Sequence, residues 1–244
     1  MPAPWNELVP EANRFESPNK NSRKPSAAIP THIVVHVTGD DDLASVKRIF
    51  LSPKSVSAHY LVLKDGQLLQ FVPDGLRAWH AGIDTGTRSL YRKGASTWMR
   101  YLKYFSWYRG YPADAQYVDA DLKPVWHKTE ASFAARPDAQ RWTQYDYFVS
   151  RWPARDVPVN FDSDPDPNNY SIGIETLGLG ADSSDPGAYT PAMYSTLRTL
   201  VQDLSRKYSI PIEKGRVVGH EDVNPVARFG WDPSSGFDWS RILA

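Results

Sequence analysis

Three short apolar runs constrain this chain more than any other feature. They are HIVVHVT (32–38), YSIGIETLG (170–178) and GRVVGH (215–220). HIVVHVT is rich in β-branched residues and continuously apolar, the mark of a buried strand, and the other two extend the same theme. The segments between them carry different periods. In DDLASVKRIFL, Leu43, Val46, Ile49 and Phe50 fall on one helical face, with Asp40 or Asp41 as the N-cap. HYLVLKDGQLLQFV reads as a hairpin turning across Asp65-Gly66. Thr190-Pro191 opens a helix, because proline suits the first helical position; its apolar stripe is Leu197, Leu200, Val201, Leu204 and Tyr208. FDWSRIL, near the end of the chain, predicts a closing helix. The order strand, helix, hairpin, strand, helix, strand, helix predicts an α/β (mixed α+β) fold: a central mixed β-sheet flanked by helices.

The length, 244 residues, suits one large domain or one domain with a sizeable insertion. Residues 1–28 read as an extended N-terminal arm, since repeated proline blocks helix and ladder pairing. Residues 29–244 form the domain, interrupted by an insertion over 84–169. That insertion holds 17 of the 31 aromatic residues, too many for a disordered segment. Its rings are expected to pack on each other and on the main domain. Some Trp and Tyr lining a groove, stacked on sugar rings or a peptide, are compatible with that packing.

Charge and cysteine usage exclude several classes. Lys+Arg and Asp+Glu are equal at 28 each, so no net field favours nucleic acid or an anionic membrane. The chain has no cysteine, which removes disulfides and thiolate metal sites and leaves histidine and carboxylate to hold any metal. No stretch approaches the roughly 18 apolar residues of a membrane span. The first thirty residues lack the apolar core of a signal peptide. The expectation is therefore a monomer made in the cytoplasm without a classical leader.

The chemistry concentrates in GHEDVNPVARFGWDPSSGFDW (219–239) and in the first strand. His36 lies near the C-terminal end of IVVHVT, His220 directly follows GRVVG, and Asp232 sits in the WDP turn. Two imidazoles and one carboxylate are a donor set for catalytic zinc, which commonly takes three protein ligands and leaves the fourth position to water. Such a site is formally monocationic and brings the pKa of its water down to about 7. Singly, each residue has an ordinary explanation: a strand histidine is commonly structural, and Asp-Pro is commonly a turn.

Taken together, IVVHVTGDD, VSAHYLVLKDGQLLQFVPDGLRAWHAG, YSIGIETLG and VVGHEDVNP…WDPSSGFDW resemble, in order, the zinc-dependent N-acetylmuramoyl-L-alanine amidases of the peptidoglycan-recognition type, or type 2 amidases. The resemblance covers the chain outside the arm and residues 84–169, and is closest to the bacterial subgroup that opens muropeptides and intact sacculi. It implies cleavage of the amide between the lactyl group of N-acetylmuramic acid and L-alanine. It also implies His36, His220 and Asp232 as zinc ligands, and Glu175 as the residue that activates water. A carboxylate beside a metal-bound water can perform that proton transfer. Some relatives use a tyrosine near SAHY; this chain has Ala58 there. Trp79 and His80 match a stretch lining the substrate cleft, with His80 as a substrate or transition-state contact. His59 is favoured as structural. Two departures stand out. Where the family commonly has a lysine two positions before the aspartate ligand, this chain has Gly230, so that Arg228 or His80 steadies the oxyanion or the activity is reduced or retuned. The second departure is the aromatic insertion, which puts substrate preference in doubt. A non-catalytic peptidoglycan-binding module, or an amidase of the same fold acting on a different amide, are the alternatives.

Overall fold

The computed structural model describes residues 4–24, 28–82, 117–118, 124–125, 167–179, 188–213, 215–223, 228, 232–234 and 236–243. The chain divides into two compact units, residues 1–82 with 166–244, and residues 83–165.

The first unit is built on five strands, which lie in the sheet in the order Leu68–Gln70, Tyr60–Val62, Ser171–Thr176, His32–Val37 and Val217–Gly219. β2 (His32–Val37), β8 (Ser171–Thr176) and β9 (Val217–Gly219) are the three apolar runs of the sequence. They pair in parallel, as does β3 (Tyr60–Val62) with β8. β4 (Leu68–Gln70) closes the edge as an antiparallel hairpin with β3, turning through Gly66 at φ +88. That left-handed angle is what Asp65-Gly66 supplies. The sheet is therefore mixed, as the sequence predicts.

Register decides which side chains share a face. His36 is level with Glu175, and Glu175 with Leu61, across three parallel strands. The alternating residues Ile33, Val35, Ile172, Ile174, Tyr60 and Val62 are wholly buried on the opposite face. There α2 (Pro191–Tyr208) meets β3. Thr190 caps α2 by accepting from the Met193 amide, with Pro191 at the first position. Leu197, Leu200, Val201 and Leu204 are buried along it, whereas Tyr208 is half-buried and its hydroxyl donates to Asp74. α1 (Leu43–Leu51) packs Val46 and Phe50 with Leu61, Leu69 and Phe71. Each such buried apolar side chain stabilises the fold by about 1.5–3 kcal/mol.

The structure corrects four expectations. Asp42, not Asp40 or Asp41, caps α1, accepting from the Ala44 amide; Asp40 instead accepts from Asp42 N and bridges to Gly178. The segment FDWSRIL forms one 3-10 turn (Trp239–Arg241) rather than a helix. So short a segment cannot offset the cost of helix nucleation; its Phe237 packs on Tyr189 and Tyr194, and Trp239 packs on Phe237. The arm is not merely extended. A proline-free stretch between Pro18 and Pro25 makes β1 (Lys20–Ser22), antiparallel to β5 (Leu76–Ala78), and Val9, Ser17, Asn19 and Arg23 are buried. Finally, residues 167–169 of the expected insertion form a buried 3-10 turn of the first unit.

In the second unit an antiparallel pair, β6 (Tyr117–Val118) with β7 (Pro124–Val125), is described. The other expectations for the aromatic segment lie outside the described residues. No helix among the described residues is long and apolar enough to cross a membrane.

Candidate metal centre

The C-terminal ends of the parallel strands carry the titratable groups. His36 is the penultimate residue of β2, Glu175 lies beside it on β8, and His220 opens α3 (His220–Val223) directly after β9. Asp232 arrives from the following turn and is anchored by the Val37 amide, which donates to its Oδ1 over 3.1 Å. Ligands collect at this edge of a parallel sheet because the chain leaves it in loops that converge.

His36, His220 and Asp232 are all buried, and each offers one ligand atom within 4.8 Å of the others. His220 Nδ1 lies 2.9 Å from Asp232 Oδ2, and His36 Nδ1 lies 3.5 Å from Asp232 Oδ1. His220 Nε2 is 2.8 Å from the Gly82 carbonyl, which can only accept. In the neutral ring, that commits the proton to Nε2 and leaves a lone pair at Nδ1 facing a carboxylate. A lone pair held against an anion repels it unless a cation lies between them. The donor set therefore fits a divalent metal on its own chemistry. Burial alone would raise the Asp232 carboxyl; the positive charge that His36 and His220 carry when protonated holds it well below the usual carboxylate range, so the pocket keeps the carboxylate ionised when a cation faces it. Burial pushes His36 down, against the pull of Asp232.

These groups line a cleft of about 200 Å³ together with Glu175, His80 and Arg228; Val46, Ile49, Phe50 and Val56 form its apolar side. A larger groove of about 350 Å³ between the arm, the hairpin and α2 has no titratable lining, so volume does not locate the chemistry. Glu175 Oε2 is withdrawn from water and has no hydrogen-bond partner among the described residues. Burial, reinforced by the Asp232 charge and opposed by Arg228, raises its pKa well above the ordinary value. Arg228 Nη1 stands 4.0 Å from Asp232 Oδ2, with its side chain about one-third exposed.

A match to the N-acetylmuramoyl-L-alanine amidase family model spans residues 26–235, which include all three donors, Glu175 and Arg228. The chain belongs to this family. Among similar amidases, the 1,6-anhydro-N-acetylmuramyl-L-alanine amidase of Haemophilus influenzae is 36% identical over 105 residues, 43% of this chain and 52% of that protein. Its Escherichia coli K12 counterpart is 33% identical over 187 residues, 77% of this chain and 56% of that protein. The chain thus spans little more than half the length of these relatives. The crystal structure of a selenomethionine derivative of AmpD shares the fold, with a TM-score of 0.53 at 21% identity, covering 98% of this chain and 94% of that one.

The cleft holds the sequence-predicted residues unequally. His36, His220, Asp232, Glu175, Arg228 and His80 share the cleft. Trp79 is not among its lining residues, and its indole N–H donates to Asn21 on β1 over 2.9 Å. Both ring nitrogens of His80 have protein partners, His36 and Ser171. His59 accepts the Gly173 amide at Nδ1 and donates from Nε2 to the Leu76 carbonyl, so it ties strands together. Gly230 lies outside the described residues. Sequence reasoning missed Ser171 and Asn168. Ser171 alternates with Gly173 and Glu175 on one face of β8, so strand period alone could have found it. Asn168 carries no such signal.

Proposed function

We propose that the chain is a zinc hydrolase that cleaves the amide between the lactyl group of N-acetylmuramic acid and L-alanine of the stem peptide. His36, His220 and Asp232 would hold the ion. Bound zinc supplies a Lewis acid and lowers the pKa of water. The observation that carries the reading is Glu175. Its carboxyl has a buried oxygen, without a partner among the described residues, on the face and level of His36 in the same cleft as the three donors. A carboxylate left without a partner there costs stability, and a catalytic role accounts for that cost. Glu175 takes the proton of the attacking water and passes it to the departing alanine nitrogen. Arg228 brings a cation to the cleft where relatives commonly use a lysine, and steadies the charge that develops on the carbonyl oxygen. The buried side chains of Val46 and Phe50 exclude water from one side. The Haemophilus influenzae and Escherichia coli relatives are 1,6-anhydro-N-acetylmuramyl-L-alanine amidases, which supports the same bond and substrate class.

The test is digestion of purified sacculi and of soluble muropeptides by zinc-loaded protein, read by mass spectrometry. A chelated sample and Glu175→Gln run beside it. Free stem peptides beginning at L-alanine are expected, lost on chelation and reduced by about 10²–10⁴-fold in Glu175→Gln. Full activity in that variant removes Glu175 from the mechanism. Undigested material from a zinc-loaded wild type makes the chain a binder, or an amidase for another amide.

A further inference from the structure

Four groups form an unbroken hydrogen-bond chain behind the metal site. Ser171 Oγ donates to the Pro167 carbonyl over 2.7 Å, and that carbonyl can only accept. The hydroxyl proton is therefore committed, and Ser171 Oγ must accept from His80 Nε2, 3.2 Å away. His80 is buried, with ring contacts to His36 and His59 and no carboxylate hydrogen-bonded to it among the described residues, so its ring carries one proton. That proton is on Nε2. His80 Nδ1 is then an acceptor, and His36 Nε2, 3.0 Å from it, must donate. The lone pair of His36 is left on Nδ1, the nitrogen that faces Asp232. His220 reaches the same state by a shorter route, through the Gly82 carbonyl.

The ring of His80 is held independently of this chain. Asn168 Oδ1 accepts both the His80 and the Ala81 amides, at 2.9 and 2.8 Å. The ring lies against Gly173, where a Cβ would fall closer than 3.0 Å to Cγ, Nδ1 and Cδ2 of the imidazole. Glycine at that position of β8 is what admits the ring.

We propose that His80 is a positioning residue: it fixes His36 in the tautomer whose Nδ1 binds the metal, and its ring nitrogens do not contact substrate. The proposal rests on His36 being a metal ligand. A hydrogen-bonded partner behind a ligating histidine orients the ring and raises its basicity, and loss of such a partner weakens metal binding about 10–100-fold.

The test uses the 244-residue chain. His80→Phe fills a similar volume without an acceptor, and His80→Asn retains one near the Nδ1 position. Zinc affinity is measured by competition against a chromophoric chelator. The His36 tautomer is read on metal-free protein from imidazole nitrogen NMR shifts, and thermal unfolding in chelator shows that each variant is folded. The expected result is an Nε2-protonated His36 in the wild type, lost in His80→Phe with a zinc Kd weakened about 10–100-fold, and largely restored in His80→Asn. Gly173→Ala, which displaces the ring without altering it, should weaken zinc in the same direction. A wild-type zinc Kd in His80→Phe with a raised KM for muropeptide would make His80 a substrate contact and overturn the proposal. An unchanged His36 tautomer in His80→Phe also overturns it, and leaves the amidase reading intact. Failure of the wild type to bind zinc removes the amidase reading and this proposal together.

Discussion

His32 offers the cleanest link between this fold and pH. It sits four residues before His36 on β2 and is 4% exposed. Thr31 Oγ1 lies 2.8 Å from one ring nitrogen and the Arg216 guanidinium 3.4 Å from the other. Burial, helped by the Arg216 charge, lowers its pKa from 6.5 to about 3. In the unfolded chain it titrates near 6.5, so between those values the unfolded state binds the extra proton. Its contribution is complete above pH 6.5 and is lost as pH falls toward the folded value. At pH 5 the folded value is too low to matter, and the loss is set by the unfolded value alone: about 1.5 pH units, or roughly 2 kcal/mol at about 1.4 kcal/mol per unit. Other groups titrate over the same range, so the measurement is a difference. Urea unfolding of wild type and His32→Asn at pH 7 and pH 5 should show the stability gap narrowing by about 2 kcal/mol on acidification. A gap constant to within about 0.5 kcal/mol would falsify the claim that the fold holds His32 neutral.

Other consequences are equally direct. Asp74 is fully buried and accepts from Tyr60, Gln70, Lys207 and Tyr208. Asp74→Ala strands those donors and should destabilise by about 3–5 kcal/mol in urea, and a loss under about 1 kcal/mol would mean the network repairs itself. Free zinc at 100-fold above its Kd should stabilise the wild type by about 2.7 kcal/mol, seen as a higher Tm, with no shift in Asp232→Ala. Arg228→Ala should lower kcat by about 10²-fold with little change in zinc affinity, and an unchanged kcat would return the oxyanion role to another group.

Much of the site was legible because its chemistry sits where local patterns end. His36 and His220 mark the ends of apolar strands, and Glu175 follows from the alternation of Ile172 and Ile174. The start of α2 was legible because Pro191 suits the first turn of a helix. The cap of α1 was not, since three consecutive aspartates can all cap and the choice falls to tertiary contacts such as Asp40 with Gly178. The arm misled because its prolines dominate its composition, while six proline-free residues suffice to add β1. The His80–Ser171 link joins residues 91 apart, and the apolar wall from α1 reaches the cleft only through packing. No local period encodes either.

The same contacts bear on the aromatic segment. Every residue assigned to metal, proton transfer or positioning belongs to the unit formed by residues 1–82 and 166–244. The chain leaves that unit after Gly82 and returns at Asp166, and the two ends are pinned together: Asn168 binds the amides of His80 and Ala81. A short linker can therefore replace residues 83–165 without moving a ligand, provided Gly82, whose carbonyl holds His220, is kept. The shortened chain is expected to fold cooperatively and to bind zinc within about threefold of the intact chain, because none of the groups behind the ligands has been touched. Its preference between sacculi and soluble muropeptides is free to change, and comparison of the two digests measures how much selectivity the segment carries. A folded but zinc-deficient product would show that the segment contributes to the metal site itself, and would refute the confinement of the chemistry to the sheet ends.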